Sequence, residues 1–537
     1  MAFNVADLFE HAVDAVPDRI AVICGDRQVT YRELDERATR LAHYFAGRGI
    51  GRGDHIGIYS RNSIEMLEAM IASYKLRAVS VSVNYRYTAD EVRYVLDNAD
   101  LVALVHERRY SGIVAEVLPT VPKLTDVVVV EDGSDLSSDG VRYETALATQ
   151  SPLRDFEARS ADDLYVLYTG GTTGFPKGVI WRHEDVWRAL GGGINHVTGA
   201  YVEDEWTLAE QAKQSPAGLV IAPLSPLIHG AAQWAAFIGL NSGGTIVLVP
   251  QFDADEVWRT VAKHRVNVLT VVGDAMAKPL LDAYRSGDYD ASALWAFTSH
   301  AALFSHSLKQ QYLELFPNLF LTDVVGSSES GGTGLGVVTK DADHTQGPRV
   351  KFNAQTALID DDDNVVEPAP GAIGRMARTG HIPLGYYKDP EKTKTIFVEI
   401  DGRRYVVPGD YARYEPDGLV TLLGRGSECI NTGGEKVFPE EVESALKSHP
   451  DVFDALVIGL EDERYGQTVA ALLQPRPGAR PDLAQLDAHI RARVAGYKAP
   501  RAYWVVAEMM RQPSGKANYP AAKKYVTDHA ELAIGPR

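Results

Sequence analysis

Apolar positions in the first hundred residues switch between two periods, and the switches mark elements. Leu34, Ala38, Leu41, Ala42 and Phe45 recur at the three- and four-residue spacing of one helical face. Thr30-Tyr31-Arg32-Glu33 precedes that face as a capping box, in which the threonine and glutamate satisfy free backbone N–H groups, and Gly47 and Gly49 stop it. The period then shortens. Ile56-Gly57-Ile58-Tyr59 reads as a short strand, a helix opens near Asn62-Ser63, and residues 78–83 read as a strand. A second capping box, Thr88-Ala89-Asp90-Glu91, starts a helix that feeds the strand Leu101-Val102-Ala103-Leu104-Val105. Strands and helices in alternation predict a mostly parallel, doubly wound α/β sheet.

The alternation recurs further along, with strands at 245–249 and 268–272 and a helix between them, so a second α/β unit is expected. Between about 355 and 425 the apolar stretches become short and alternating. Asp360-Asp361-Asp362-Asp363-Asn364 sits between two of them as the tip of a hairpin; its carboxylates would also suit a cation, but the turn is the favoured reading. Beyond Arg425 come a helix from Glu440 to Lys447, the strand Ala455-Leu456-Val457-Ile458, a Pro/Gly-rich loop from Pro475 to Pro481 and a helix from about Leu483 to Val494. That stretch has the size of a separate domain.

With 537 residues the chain exceeds one compact core, and 45% apolar and 23% charged residues are those of a globular protein. A formal net charge of −18 argues against a nucleic-acid partner, because phosphate backbones demand a basic face. The pairs Arg108-Arg109, Arg403-Arg404 and Lys523-Lys524 are too scattered to form one. Cys24 and Cys429 stand alone, without the spaced partners of a zinc site or a disulfide framework. The first residues lack a basic and apolar leader, and no apolar run approaches the ~20 residues of a membrane span, so a cytoplasmic protein without an integral membrane segment is expected.

The chemistry is concentrated in Tyr168-Thr169-Gly170-Gly171-Thr172-Thr173-Gly174-Phe175-Pro176-Lys177-Gly178. Glycines let successive N–H groups turn toward one anion, threonine hydroxyls add donors, and Lys177 adds a cation. The spacing is not that of a Walker A loop, since Pro176 precedes the lysine and Gly178 follows it. A plain strand-to-strand turn is the alternative, but it needs far fewer Gly and Thr residues.

Later segments carry a resemblance that covers about Leu8 to Tyr519. Gly326-Ser327-Ser328-Glu329, Pro408-Gly409-Asp410, Gly424-Arg425, the run from Gly433 to Glu443 and Pro513-Ser514-Gly515-Lys516 follow the phosphate loop in the order found in the adenylate-forming superfamily of acyl-CoA synthetases, adenylation domains and luciferases, which the chain resembles. The resemblance implies a large N-terminal domain, residues 1–425, of two doubly wound α/β subdomains plus a small β-barrel-like subdomain. A hinge at 426–429 and a small mobile α+β domain at 430–537 would follow. It also implies ATP, Mg²⁺ and coenzyme A. Thr169, Gly170, Gly171, Thr172, Thr173, Gly174 and Lys177 would surround the phosphates, and Ala302, Gly326, Ser327 and Ser328 would complete the nucleotide site. Glu329, with Thr169, would hold the metal, Asp410 and Arg425 the ribose, and Lys516 would be the adenylating lysine. Gly433, Gly434 and Lys436 would form the face presented for thioester formation, after rotation about Ser427 and Glu428.

The chain departs from the family pattern in places. The hinge position, usually Asp or Lys, is Ser427; the aromatic that commonly precedes Gly326 is Val325; and the usual Ser-Gly-Gly-Ala is Ser299-His300-Ala301-Ala302. His300 has two readings, a pocket wall or a structural imidazole. Pro226-Leu227-Ile228-His229-Gly230 has no aspartate to bind an α-ammonium, which argues against an amino acid substrate, and His229 resembles a gating histidine where the alternative is a helix cap. Trp234, Val272, Gly273, Met276, His300 and Val325 are the expected acyl pocket, apolar enough for a hydrophobic acid. Asn84-Tyr85-Arg86-Tyr87 and Trp181-Arg182-His183-Glu184-Asp185 look similar to actinobacterial fatty and sterol side-chain acyl-CoA synthetases. The expected activity is an acid–CoA ligase working through an acyl-adenylate. The alternatives are a ligase that hands the acyl group to a carrier protein and a catalytically silent nucleotide-binding protein; a homodimer is left open.

Overall fold

A computed structural model describes residues 3–169, 176–194, 200–300, 302, 304–340, 348–432, 435–462, 466–512 and 515–535. The first α/β unit is a parallel sheet in the order Val79–Ser82, His55–Tyr59, Leu101–Glu107, Asp126–Val130, Val141–Arg142. Both capping boxes form: Thr30 N donates to Glu33 Oε2 at 2.8 Å and Thr88 N to Glu91 Oε2 at 2.8 Å. Behind the first, the helix Tyr31–Ala46 buries Leu34, Ala38, Leu41, Ala42 and Phe45. Fully burying each of the larger side chains contributes about 1.5–3 kcal/mol.

The second unit is parallel in the order Ile20–Cys24, Thr245–Leu248, Val220–Pro223, Val268–Val271, Ala296–His300, Phe320–Ser327. Its edge strand comes from the N-terminus. At Phe320–Ser327 the chain doubles back as Gly331–Val338, and the sheet continues through Arg349–Phe352, Val420–Arg425, Asp410–Tyr414 and Ile373–Arg378. These are the short alternating stretches of the sequence. The acidic run is the tip of a turn: Asp360 Oδ1 accepts from Asp362 N at 2.9 Å and Asn364 N at 2.8 Å, with Asp363 at φ 62°. A three-stranded sheet, Leu164–Thr169, Lys177–Arg182 and Gly385–Tyr386, lies apart from both.

The small C-terminal unit has its own sheet, built on a long hairpin of Val452–Asp462 with Gly466–Pro475 and edged by Ile430–Thr432 and Ala502–Val505. Its helix Leu483–Arg491 ends three residues before the expected Val494. Among the described residues no helix is long and apolar enough to cross a membrane.

Strand order places the site. Val268–Val271, Ala296–His300 and Phe320–Ser327 are neighbours and parallel, so Val272-Gly273, Ala302 and the Gly326 turn leave the sheet at the same edge. In open α/β sheets that carboxyl edge is where ligands sit.

Candidate active site

Thr169 ends one strand and Lys177 begins the next, directly opposite in an antiparallel pair, so both side chains leave the same face. Residues 170–175 lie outside the described residues, and with them Gly170, Gly171, Thr172, Thr173 and Gly174. The Lys177 ammonium is paired with Asp389, which also caps the helix Pro390–Ile396 by accepting from Lys392 N at 2.9 Å. Lys177 holds that carboxyl below the usual carboxylate range. Asp389 was not singled out in the sequence, although an Asp before a Pro at a helix start is a readable signal.

The Gly326-Ser327-Ser328-Glu329 turn is braced from several sides. Ser327 Oγ and Ser330 Oγ bond each other's backbone N–H, both at 3.1 Å. Trp181 Nε1 donates to the Ser328 carbonyl at 3.0 Å, and Arg378 donates to the carbonyls of Ser330 and Gly332 at 2.8 and 2.9 Å. Arg378 is 1% exposed, and burial pushes its guanidinium down to about 10. Tyr386 OH donates to Glu329 Oε1 at 2.9 Å, which aims the carboxylate. Pattern reading missed Trp181, Arg378 and Tyr386 as supports, because each reaches the turn only through the tertiary fold.

Asp410 and Arg425 are cross-strand partners, next to Gly409 at φ 101° and Gly424 at φ 122°. The tight turn Gly426–Glu428, containing Ser427, then leads into the small unit, with Gly426 N donating to the Gly409 carbonyl at 2.8 Å. Gly433 and Gly434 lie outside the described residues. Lys436 is on the strand Glu435–Val437.

Lys516 is brought to the sheet edge. Its loop is closed by Gly515 N to the Gln512 carbonyl and Gln512 N to the Lys516 carbonyl, both 2.8 Å. Gly515, at φ 81°, is seated against the helix Gly273–Ser286: a Cβ there would stand 2.6 Å from Ala275 Cβ. His229 and His300 face the same place. Burial, then the charge of Lys516, pushes both imidazoles down to about 4. His229 Nε2 and both ring nitrogens of His300 are enclosed and have no hydrogen-bond partner among the described residues. His229 occupies the N-cap position of the helix Gly230–Asn241, but its side chain does not cap that helix.

The expected acyl-pocket residues separate into two groups. Val272, Gly273 and His300 are at the sheet edge beside the lysine loop, with Gly273 N bonded to Ser299 Oγ at 3.2 Å, and Met276 is one turn further along the helix. Val325, by contrast, packs on the cluster of Leu358, Met376, Ala412 and Val420, so it does not line the face that carries His300. Val324 takes that face, being in parallel register with His300. Trp234 is 2% exposed and edge-on to Tyr165, within the core.

A paired threonine and lysine on adjacent strands, an aimed carboxylate, an aspartate opposite an arginine and a lysine brought in from the small C-terminal unit form the arrangement expected of a nucleotide-dependent carboxylate-activating site. The chain belongs to the AMP-binding enzyme family: residues 9–387 match the family itself and residues 441–516 its C-terminal domain. Over 532 residues it is 56% identical to the 3-oxocholest-4-en-26-oate–CoA ligase of Rhodococcus rhodochrous, with 97% of this chain and 96% of the relative covered. Over 528 residues it is 55% identical to a medium/long-chain-fatty-acid–CoA/3-oxocholest-4-en-26-oate–CoA ligase of Mycobacterium tuberculosis, covering 98% and 96%. The crystal structure of the anthranilate CoA ligase AuaEII in complex with anthranoyl-AMP has the same fold, with a TM-score of 0.85, 21% identity and 99% of both chains covered.

Proposed function

We propose that this protein is an AMP-forming acid–CoA ligase for hydrophobic carboxylic acids, medium- to long-chain fatty acids and bulky sterol side-chain acids among them. The observation that carries the reading is the seating of the Lys516 loop against Gly273–Ser286, beside His229 and His300 at the carboxyl edge of the sheet. Identity of 56% and 55% over nearly the full length to ligases named for such acids supports the substrate class.

In the first step a carboxylate oxygen attacks the α-phosphorus of ATP. The P–O bond to the β-phosphate breaks, and pyrophosphate leaves with the electron pair. Two anions must approach, so charge neutralisation governs the rate. Lys516 lies between carboxylate and α-phosphate, while Lys177 exchanges Asp389 for the β- and γ-phosphates and Thr169 adds a hydroxyl. Asp410 accepts the ribose hydroxyls, with Arg425 beside it. Glu329 is aimed by the bond from Tyr386 at one oxygen, and its carboxylate with Thr169 and phosphate oxygens is a donor set that suits Mg²⁺. When bound, that cation shields the phosphate charge.

In the second step the thiol of coenzyme A gives up its proton and its sulfur attacks the acyl carbonyl. The C–S bond of the thioester forms as the bond from the acyl carbon to the AMP oxygen breaks, and AMP leaves with that electron pair. The small domain turns about Ser427 and Glu428 to present Gly433, Gly434 and Lys436. Neutral His229 and His300 suit an uncharged acyl chain, and the wall formed by Val272, Gly273, Met276 and Val324 is apolar.

The test is AMP release with Mg-ATP over fatty, aryl and sterol-derived acids, each with and without coenzyme A. Turnover requiring both acid and coenzyme A, fastest for hydrophobic aliphatic or sterol acids, is expected; a preference for amino or short dicarboxylic acids contradicts the substrate class.

A further inference from the structure

The small unit meets the large domain through charged groups that the chemistry above does not use. Lys447, in the last turn of the helix Pro439–Lys447, has a side chain only 2% exposed. Its Nζ stands 3.7 Å from Asp274 Oδ2 and 3.8 Å from Asp454 Oδ1. The two carboxylates belong to different bodies: Asp274 is in the first turn of Gly273–Ser286, and Asp454 is on the strand Val452–Asp462 of the small unit. Asp274 is fixed from behind, its Oδ1 accepting from Ser305 N at 2.7 Å.

Asp454 is gripped in turn by Arg511, Nε to Oδ2 at 2.6 Å and a terminal nitrogen to Oδ1 at 2.7 Å. The other terminal nitrogen of Arg511 donates to the carbonyl of Gly515 at 3.1 Å. Gly515 is the residue before Lys516 and the one that touches Ala275, next to Asp274. The charges therefore run unbroken from the large domain to the lysine loop.

We propose that Asp274, Lys447, Asp454 and Arg511 are positioning residues for Lys516. The Asp274–Lys447 link holds the small unit in the adenylating orientation, and Arg511, anchored on Asp454, holds the loop that projects the lysine. The inference rests on the reading of Lys516 as the adenylating group. It also assigns a division of labour. When the small unit turns for thioester formation, Lys447 parts from Asp274 but carries with it Asp454 and Glu443, one turn earlier on its own helix, so the buried ammonium is never stripped of carboxylates. A buried cation stripped of every partner would strongly oppose the movement. Asp274 thus favours one of two orientations and serves one half-reaction.

The test uses the full-length protein, with ATP–pyrophosphate exchange for the first half-reaction and thioester formation from a supplied acyl-adenylate for the second. Asp274→Asn keeps the shape and the bond from Ser305 N while removing the charge. It is expected to slow exchange roughly tenfold and leave thioester formation nearly unchanged. Lys447→Met is expected to slow exchange similarly, and the double variant no further, since one link is lost in each. Arg511→Lys keeps the charge but loses the double grip on Asp454, and is expected to lower kcat for exchange more than it raises KM for ATP. Thermal midpoints measured alongside identify a variant that is merely unfolded, and Asp274→Asn, near-isosteric, then decides. Equal loss in both half-reactions, or none in either, overturns the proposal. Lys516→Ala separates the two readings: if it slows both half-reactions equally, the assignment of Lys516 fails and this inference with it; if it slows exchange alone while Asp274→Asn does not, only the positioning network fails.

Discussion

Gly326 allows no side chain, because an added Cβ would stand 2.2 Å from the carbonyl oxygen of Gly331, and backbone cannot withdraw as a side-chain tip can. Gly326→Ala is expected to cost roughly 1–3 kcal/mol of stability, as overpacking does, and to misplace Glu329. Calorimetry and adenylate formation on one sample would read both effects; an unchanged pair would show that the turn is not rigid. Asp389 makes a different prediction. Asn caps a helix as well as Asp does, so Asp389→Asn preserves the helix Pro390–Ile396 while releasing Lys177 from its carboxylate. The KM for ATP is expected to fall a few-fold in steady-state assays; a rise would mean that Asp389 orients Lys177 rather than competing with phosphate. At this scale the sequence offered its candidates where they stand in short runs. The structure puts Lys177 opposite Thr169, Asp410 opposite Arg425, Glu329 under Tyr386 and the Lys516 loop against Gly273–Ser286; the half-reaction assays test the roles proposed for them. Asp389 was readable as a helix cap but not as a partner of Lys177, and Trp181 and Tyr386 were not legible as supports, since the three lie 212, 147 and 57 residues from the groups they hold.

At the scale of elements, the boundary chemistry read directly off the chain reappears as hydrogen bonds: Thr30 with Glu33, Thr88 with Glu91 and the Asp360 turn. Thr30→Ala is expected to cost about 1 kcal/mol, whereas Leu41→Ala, which empties a fully buried site, should cost about 2–5 kcal/mol. Urea unfolding would rank them, and a cap costing more than the core leucine would mean that this helix is held by its end rather than its face. Strand partners were less legible. Ile20–Cys24 pairs with Thr245–Leu248 more than two hundred residues on, and nothing in a five-residue apolar run specifies so distant a neighbour. Around the glycine-threonine loop, the strands Leu164–Thr169 and Lys177–Arg182 pair antiparallel, which sets Thr169 opposite Lys177. Val325 shows the limit of motif alignment, since a strand's two faces alternate and the neighbouring Val324 shares the face of His300.

For the whole molecule, histidines whose protonation burial disfavours set a pH dependence: His183, His229 and His300 are shifted furthest, and buried His55 and His106 shift in the same direction. His183 accepts a bond from Val5 N at 3.3 Å, which requires an unprotonated Nδ1, and burial pushes His183, like His229 and His300, down to about 4. In the unfolded chain each titrates near pH 6.5, so between about 6.5 and 4 the unfolded state binds more protons than the native one. Their contribution is therefore complete above about pH 6.5 and is lost as the pH falls toward 4. Denaturation midpoints should hold steady from pH 8 to 7 and drop between 6.5 and 5, less steeply in His183→Gln; a midpoint that rises as the pH falls would contradict the neutral assignment. A small C-terminal domain was legible from the elements and size of the stretch beyond Arg425. The docking of the small unit was not, because Asp274, Lys447 and Arg511 acquire a common role only when two separately folded bodies meet.

The most direct test of the two-step account is a rapid quench of the enzyme mixed with Mg-ATP and a hydrophobic acid, with and without coenzyme A, followed by identification of every product. Without coenzyme A, enzyme-bound acyl-adenylate and pyrophosphate are expected in equal amounts, about one per site; with it, the adenylate decays and acyl-CoA and AMP appear one for one. ADP and phosphate as products, or acyl-CoA formed with no adenylate at any time, would contradict the assignment of Lys516 and of the site built around it.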